Sequence, residues 1–194
     1  MAVPRHSSQL NALSRLAAFW ALWYALYRGY YALGGTIGMH GTPVSLPLWH
    51  QVNAVGALLV LAFAILPLLL LPAWRHRRGR PFLLLLCWIV AVGCISHALI
   101  DIVQHVASLA GRLTIDYPFW QEIDRRALDL QVIFFNEPWF FIEGLLWAGI
   151  AWIGALQASP RRRWWIGSAI VAVATATTIG LLRAFGVMAK VIVG

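Results

Sequence analysis

A chain of 194 residues that is 61% hydrophobic and 11% charged, with a mean hydropathy of +0.74, lies far outside the soluble globular range, where roughly a quarter of residues are charged. The formal charge of +8 does not indicate nucleic acid, because most arginines sit in short runs between long apolar stretches, as membrane proteins arrange positive charge. Composition therefore argues against a water-soluble domain and predicts an all-α integral membrane bundle.

The polar start MAVPRHSSQLNALSR runs into an apolar stretch too long and too aromatic for a cleaved signal peptide, and is expected to stay as an anchor. Crossing the hydrocarbon takes about 20 mainly apolar residues. Five stretches qualify, about 16–37, 54–74, 82–108, 131–157 and 164–189. With no repeat and no soluble insertion, they form a single domain over 1–194.

Arg5 and Arg15 precede the first stretch, Arg75, Arg77, Arg78 and Arg80 fill the second loop, and Arg161, Arg162 and Arg163 fill the fourth. The positive-inside bias makes these segments cytoplasmic, which puts the N-terminus inside and the C-terminus outside the cell membrane. The first loop has no Lys or Arg, and the third mixes Arg112, Arg125 and Arg126 with four acids, so both face outward. Trp49, Trp74, Trp120, Trp164 and Trp165 stand near the expected ends, where interfacial anchoring favours tryptophan. The glycines of YALGGTIGMHG are expected to turn the chain out of the first helix. Cys87 and Cys94, about 10 Å apart along one helix, are expected to be packing residues rather than a disulfide.

All seven acidic residues fall between Asp101 and Glu143. On the third helix His97, Asp101 and His105 follow at i, i+4 and i+8 and so share one face. Counting 1.5 Å per residue from the cytoplasmic ends puts His97 and Glu143 at one level, about 21–23 Å into a core about 30 Å thick. Asp101, Glu137 and Arg183 then lie at about 28–30 Å, near the outer boundary, where charge costs less. On the fourth helix Asn136 and Glu143 share a face, Pro138 cannot donate to the Phe134 carbonyl, and Glu137 is rotated by about 120° from Glu143. Burial and a neighbouring His97 or Arg28 act in opposite senses on a carboxyl, the situation that tunes a general acid or base. An ion-pair network of Glu143 and His97 with each other, or with Arg28 and Arg183, would also account for them. So would a metal held by His97, Asp101, His105 and Glu143, although no HExxH-type signature is present. Phosphate-loop, nucleotide and nucleophile-elbow motifs are absent from the sequence.

SHALID over Ser96–Asp101, followed after a polar loop by FIEGLLW over Phe141–Trp147, resembles the EXPERA-domain membrane proteins, which include the emopamil-binding sterol isomerases. The likeness covers roughly residues 90–150 and extends to WQEIDRR over Trp120–Arg126, similar to that family's Trp-Lys-Glu and Asp-x-Arg elements. Asp101 stands where the family has Glu, and the fifth helix offers Thr175, Thr177, Thr178 and Arg183 in place of Asn and Trp. The resemblance implies an intramembrane pocket in which an acid protonates an alkene, aromatic faces stabilise the carbocation and a second group removes another proton.

The expectation is an isomerase or cyclase acting on an isoprenoid or sterol-like lipid, without cofactor or nucleic acid. Glu143, His97 and Asp101 are its expected catalytic groups. Arg28, Tyr27, Asn136, Glu137, Trp139, Trp147, His105 and Arg183 are its expected substrate-binding groups. The rival is a non-catalytic membrane protein that binds hydrophobic amines or serves as an accessory subunit. A substrate-sized pocket beside Glu143 would separate the two.

Overall fold

The computed structural model describes residues 5–75, 79–156 and 159–186. Arg77, Arg78 and the last residues expected in the fourth and fifth helices lie outside the described residues. The chain is helical almost throughout: α1 (Arg5–Ala32), α2 (Leu46–Leu69), α3 (Arg80–Leu109), α4 (Arg125–Leu156) and α5 (Arg162–Ala184). Helices α2 to α5 are long and apolar enough to cross a membrane. Helix α1 is comparable in length, but its tryptophans, its tyrosines and Arg28 dilute its hydropathy below theirs.

Several boundaries differ from the expected ones, each for a local reason. Helix α2 begins at Leu46 rather than near 54, because Ser45 caps it by accepting from Leu48 N–H at 3.4 Å and Pro47 suits the first turn. It stops at Leu69, before Pro72, and a 3₁₀ turn over Leu71–Arg75 follows. Helix α1 starts well before residue 16 and ends at Ala32, ahead of the glycine pair that turns the chain.

The all-helical expectation also misses a two-stranded antiparallel ladder. In it β1 (Gly41–Pro43) pairs with β2 (Trp120–Ile123), tying the α1–α2 connection to the α3–α4 connection at one end of the bundle. Strands of three and four residues carry no readable alternation.

Helix α1 packs along α2, α3 packs along α4, and α1 against α4 joins the two pairs, with α5 on the outer side of α3. Small residues allow the close α1–α2 contact: Ala21 and Ala25 meet Val60 and Ala64 in one core cluster. A second cluster, around Leu83, Cys87, Ala91, Trp147 and Ile150, closes α3 on α4. Both cysteines are buried and free there. Gly144 permits that closure, since a Cβ on it would come within 2.7 Å of Ile95 Cγ1 and 3.1 Å of the Ala91 carbonyl oxygen. Trp20 and Trp139 lock α1 to α4 reciprocally, each indole N–H donating to the other residue's carbonyl at 3.1 Å. Trp74, expected as an interfacial anchor, is instead buried, its ring lying on Gly154.

Two π-helical turns mark α4, Val132–Asn136 within it and Trp152–Leu156 at its end. The first ends two residues before Pro138, whose missing N–H leaves the Phe134 carbonyl without its usual partner. Such turns re-aim the side chains beyond them and recur at functional sites.

Candidate functional site

Past the first π turn, Glu137 leaves α4 toward α3 and is buried, at 3% exposure. His97 and Asp101, one helical turn apart on α3, face it. His97 Nε2 lies 3.7 Å from Glu137 Oε2 and 3.8 Å from Asp101 Oδ2. Glu137 Oε2 has no hydrogen-bond partner, so this is a close approach rather than a closed bond. The His97 ring also meets Phe140 edge to face at 4.7 Å.

The three groups border a cavity of about 460 Å³ whose other walls include Tyr24 and Arg28 of α1, Val60 and Phe63 of α2, and Asn136 and Phe140 of α4. That volume is in the range of small-molecule sites, roughly 300–1,000 Å³. Its lining is apolar and aromatic with a few convergent polar groups. The side chain of His97 is 47% exposed although it sits well inside α3, because the cavity reaches the outside between the helix pairs.

Glu143, expected opposite His97, lies elsewhere. It is fully buried, one oxygen accepts from Trp147 Nε1 at 2.8 Å, and Oε2 has no partner. It does not line the cavity beside His97. Ideal helix counting misjudged this level because α3 begins earlier than expected and the π turn at Trp152–Leu156, between the cytoplasmic end and both glutamates, changes the phase and rise of α4. Counted from Arg80 and Leu156, Glu137 is closer to the level of His97 than Glu143 is.

His105 does not join His97 and Asp101. Its Nδ1 lies 2.6 Å from Asp129 Oδ1, and Asp129 also accepts from Ser108 Oγ at 2.7 Å and Tyr117 O–H at 2.9 Å. Tyr117, in the connection outside the apolar helices, has its phenol pushed above its ordinary pKa, first by burial and then by the Asp129 hydrogen bond and charge, so it remains a donor. This buried knot joins α3, the α3–α4 connection and the start of α4. The sequence reading missed Asp129 because depth alone made it a loop acid.

No family model, curated protein or solved structure matches this chain.

Of the remaining expected site residues, Asn136 and Arg28 line the cavity, and Tyr27 lines a neighbouring one, where its hydroxyl accepts from Gln131 Nε2 at 2.6 Å. Trp139 is buried behind Tyr24, stacked on it with ring centroids 4.2 Å apart, so it backs the cavity wall. Trp147 is taken up by Glu143, and Arg183 is exposed in the last turn of α5, lining neither cavity.

The expected metal set of His97, Asp101, His105 and Glu143 is divided among three places. The ligand atoms that do converge, within 4.8 Å of one another, belong to His97, Asp101 and Glu137. They could accept a divalent cation, or exchange a proton among themselves. A separate cavity of about 260 Å³ between α3, α4 and α5 is apolar throughout, with Cys87 its one titratable side chain, and offers no acid or base chemistry.

Proposed function

We propose that this chain is an integral membrane enzyme that isomerises or cyclises an isoprenoid or sterol-like lipid by protonation and deprotonation inside the bundle. The observation that carries the reading is Glu137, a buried carboxyl with an unpartnered oxygen, facing His97 at 3.7 Å on the wall of a 460 Å³ cavity. Glu137 delivers a proton to an alkene, and Tyr24, Phe63 and Phe140 present ring faces and edges to the carbocation. His97, steadied by Asp101, takes a proton from a neighbouring carbon, and the short His97–Glu137 gap returns it. The roles expected of Glu143 thereby pass to Glu137, while His97 and Asp101 keep theirs. A distant EXPERA-type relationship is part of this proposal, supported by the pairing of one His-x3-acid helix with a glutamate on the next.

A hydrophobic amine would suit the two carboxylates, but Arg28 on the same wall opposes a cationic ligand. The reaction is tested by comparing lipid extracts of cells with and without the gene by mass spectrometry. A mass-neutral change in the retention of one isoprenoid is expected, and identical extracts under expression of the active chain would count against catalysis.

In the same reading α1 is a fifth span, with the N-terminus cytoplasmic and the C-terminus outside. Exposed apolar side chains along the outer faces, such as Phe19, Leu58, Phe82 and Val171, support burial in lipid. Reporter fusions after Gly79 and Gly111 should report opposite sides of the membrane; a common side would remove this topology.

A further inference from the structure

The larger cavity is not the whole of the site. Arg28 and Asn136 line both it and a second cavity of about 120 Å³, bordered by Tyr27, His40, Trp49 and Trp120 at the end of the bundle that carries the β1–β2 ladder. Arg28 is therefore the cation between a deep acid-bearing chamber and a shallower polar, aromatic one.

Its setting is unusual. The guanidinium meets α2 at Gly56 with its Nε–Nη2 edge, where a Cβ would come within 2.9 Å of Nε and 3.0 Å of Nη2. Among the described residues no carboxylate lies within ion-pair distance of it, although Asp101 and Glu137 line the same larger cavity. Two further polar groups of the smaller cavity are unsatisfied. Trp49 Nε1, a donor only, is buried without an acceptor, and Asn136 Oδ1 is buried without a partner, its amide free to present N–H₂ instead. A cation and a buried indole N–H without an acceptor, both bordering this small cavity, call for an anionic oxygen group, and guanidinium geometry suits phosphate in particular.

We infer that the ligand is an isoprenoid carrying a phosphate or diphosphate ester. Its head sits against Arg28 and Trp49 in the smaller cavity, and its chain extends past His97 and Glu137 in the larger. This rests on the reading of the larger cavity as a lipid site. The ester is not broken in the reaction. One proton passes from Glu137 to an alkene carbon and another leaves a neighbouring carbon for His97, so the product is an isomer still held by its head at Arg28.

The test is equilibrium binding of labelled farnesyl diphosphate to the full chain in nanodiscs, with farnesol and inorganic pyrophosphate as competitors. Wild type should prefer the diphosphate ester to farnesol by at least about tenfold, the scale of a charge-assisted contact. Arg28→Gln should bring the two within about threefold, Arg28→Lys should retain part of the preference, and Gly56→Val, which displaces the guanidinium, should lower it. Equal affinity of wild type for farnesol and its diphosphate would overturn the head-group assignment while leaving a lipid cavity in place. No binding of either would remove both readings. Pyrophosphate competing as well as the ester would overturn the lipid ligand in favour of a free-anion site.

Discussion

Glu137→Gln should abolish product formation, by roughly 100-fold or more, while Glu143→Gln stays within a few-fold of wild type. The two substitutions are chemically the same and sit on one helix, so the contrast tests geometry alone. At Glu137 the amide keeps the size of the side chain but cannot deliver a proton across the 3.7 Å to His97 or to a ligand in the cavity. At Glu143 the amide carbonyl still accepts from Trp147 Nε1, so the packing of α4 survives. Isomer yield and melting temperature should be measured on both variants. Loss of activity in Glu143→Gln with Glu137→Gln intact would return the acid to Glu143. A divalent metal on His97, Asp101 and Glu137 would also be lost in Glu137→Gln; in that case chelation of wild type would silence it and added metal would restore it.

The parts legible in the sequence are those that follow from composition over long windows. Apolar stretches located α2 to α5, and the confinement of acids between Asp101 and Glu143 led to the α3–α4 pair, because burying charge in an apolar bundle is costly and those positions carry the cost. The His97–Asp101 spacing placed both on one face, and both do turn toward α4. The partner on α4 was not legible. Ideal α-helical rise from the cytoplasmic end of that stretch does not hold, because the π turn at Trp152–Leu156 stands between that end and both glutamates, and Glu137 rather than Glu143 comes to the level of His97. Pro138 signalled an irregularity without revealing its form. Asp129 was hidden for a different reason: its partners His105, Ser108 and Tyr117 stand 24, 21 and 12 residues away, and local pattern reports neither these contacts nor the β1–β2 pairing. The same pairing shapes the cavity beside Trp49 and Trp120, so the position of Arg28 between two chambers was out of reach, although Arg28 itself stood out.

Asp129→Ala should be among the most destabilising substitutions in the chain, by about 3 kcal/mol, as when one partner of a buried pair is removed. Asp129 is 2% exposed and holds together three groups from two segments: His105 and Ser108 of α3, and Tyr117 of the connection. Truncation leaves His105 and the two hydroxyls without their acceptor in a closed space, and each loss is costly because water cannot replace it fully. Asp129→Asn should cost less, since one carbonyl oxygen remains, but it forfeits the charge assistance of the 2.6 Å contact with His105. Unfolding of the detergent-solubilised protein, followed by circular dichroism, measures both. A double-mutant cycle with His105→Ala should give a coupling of more than about 1 kcal/mol, because the two side chains share one hydrogen bond. The knot also ties the first turns of α4 to α3, and the π turn that aims Glu137 starts at Val132, three residues beyond Asp129. Asp129→Asn should therefore lower activity more than its loss of stability predicts when assayed well below its melting temperature. Unchanged stability in Asp129→Ala would mean that the start of α4 is held by the β1–β2 ladder and the Asp124 cap instead, and that the aim of Glu137 does not depend on the knot.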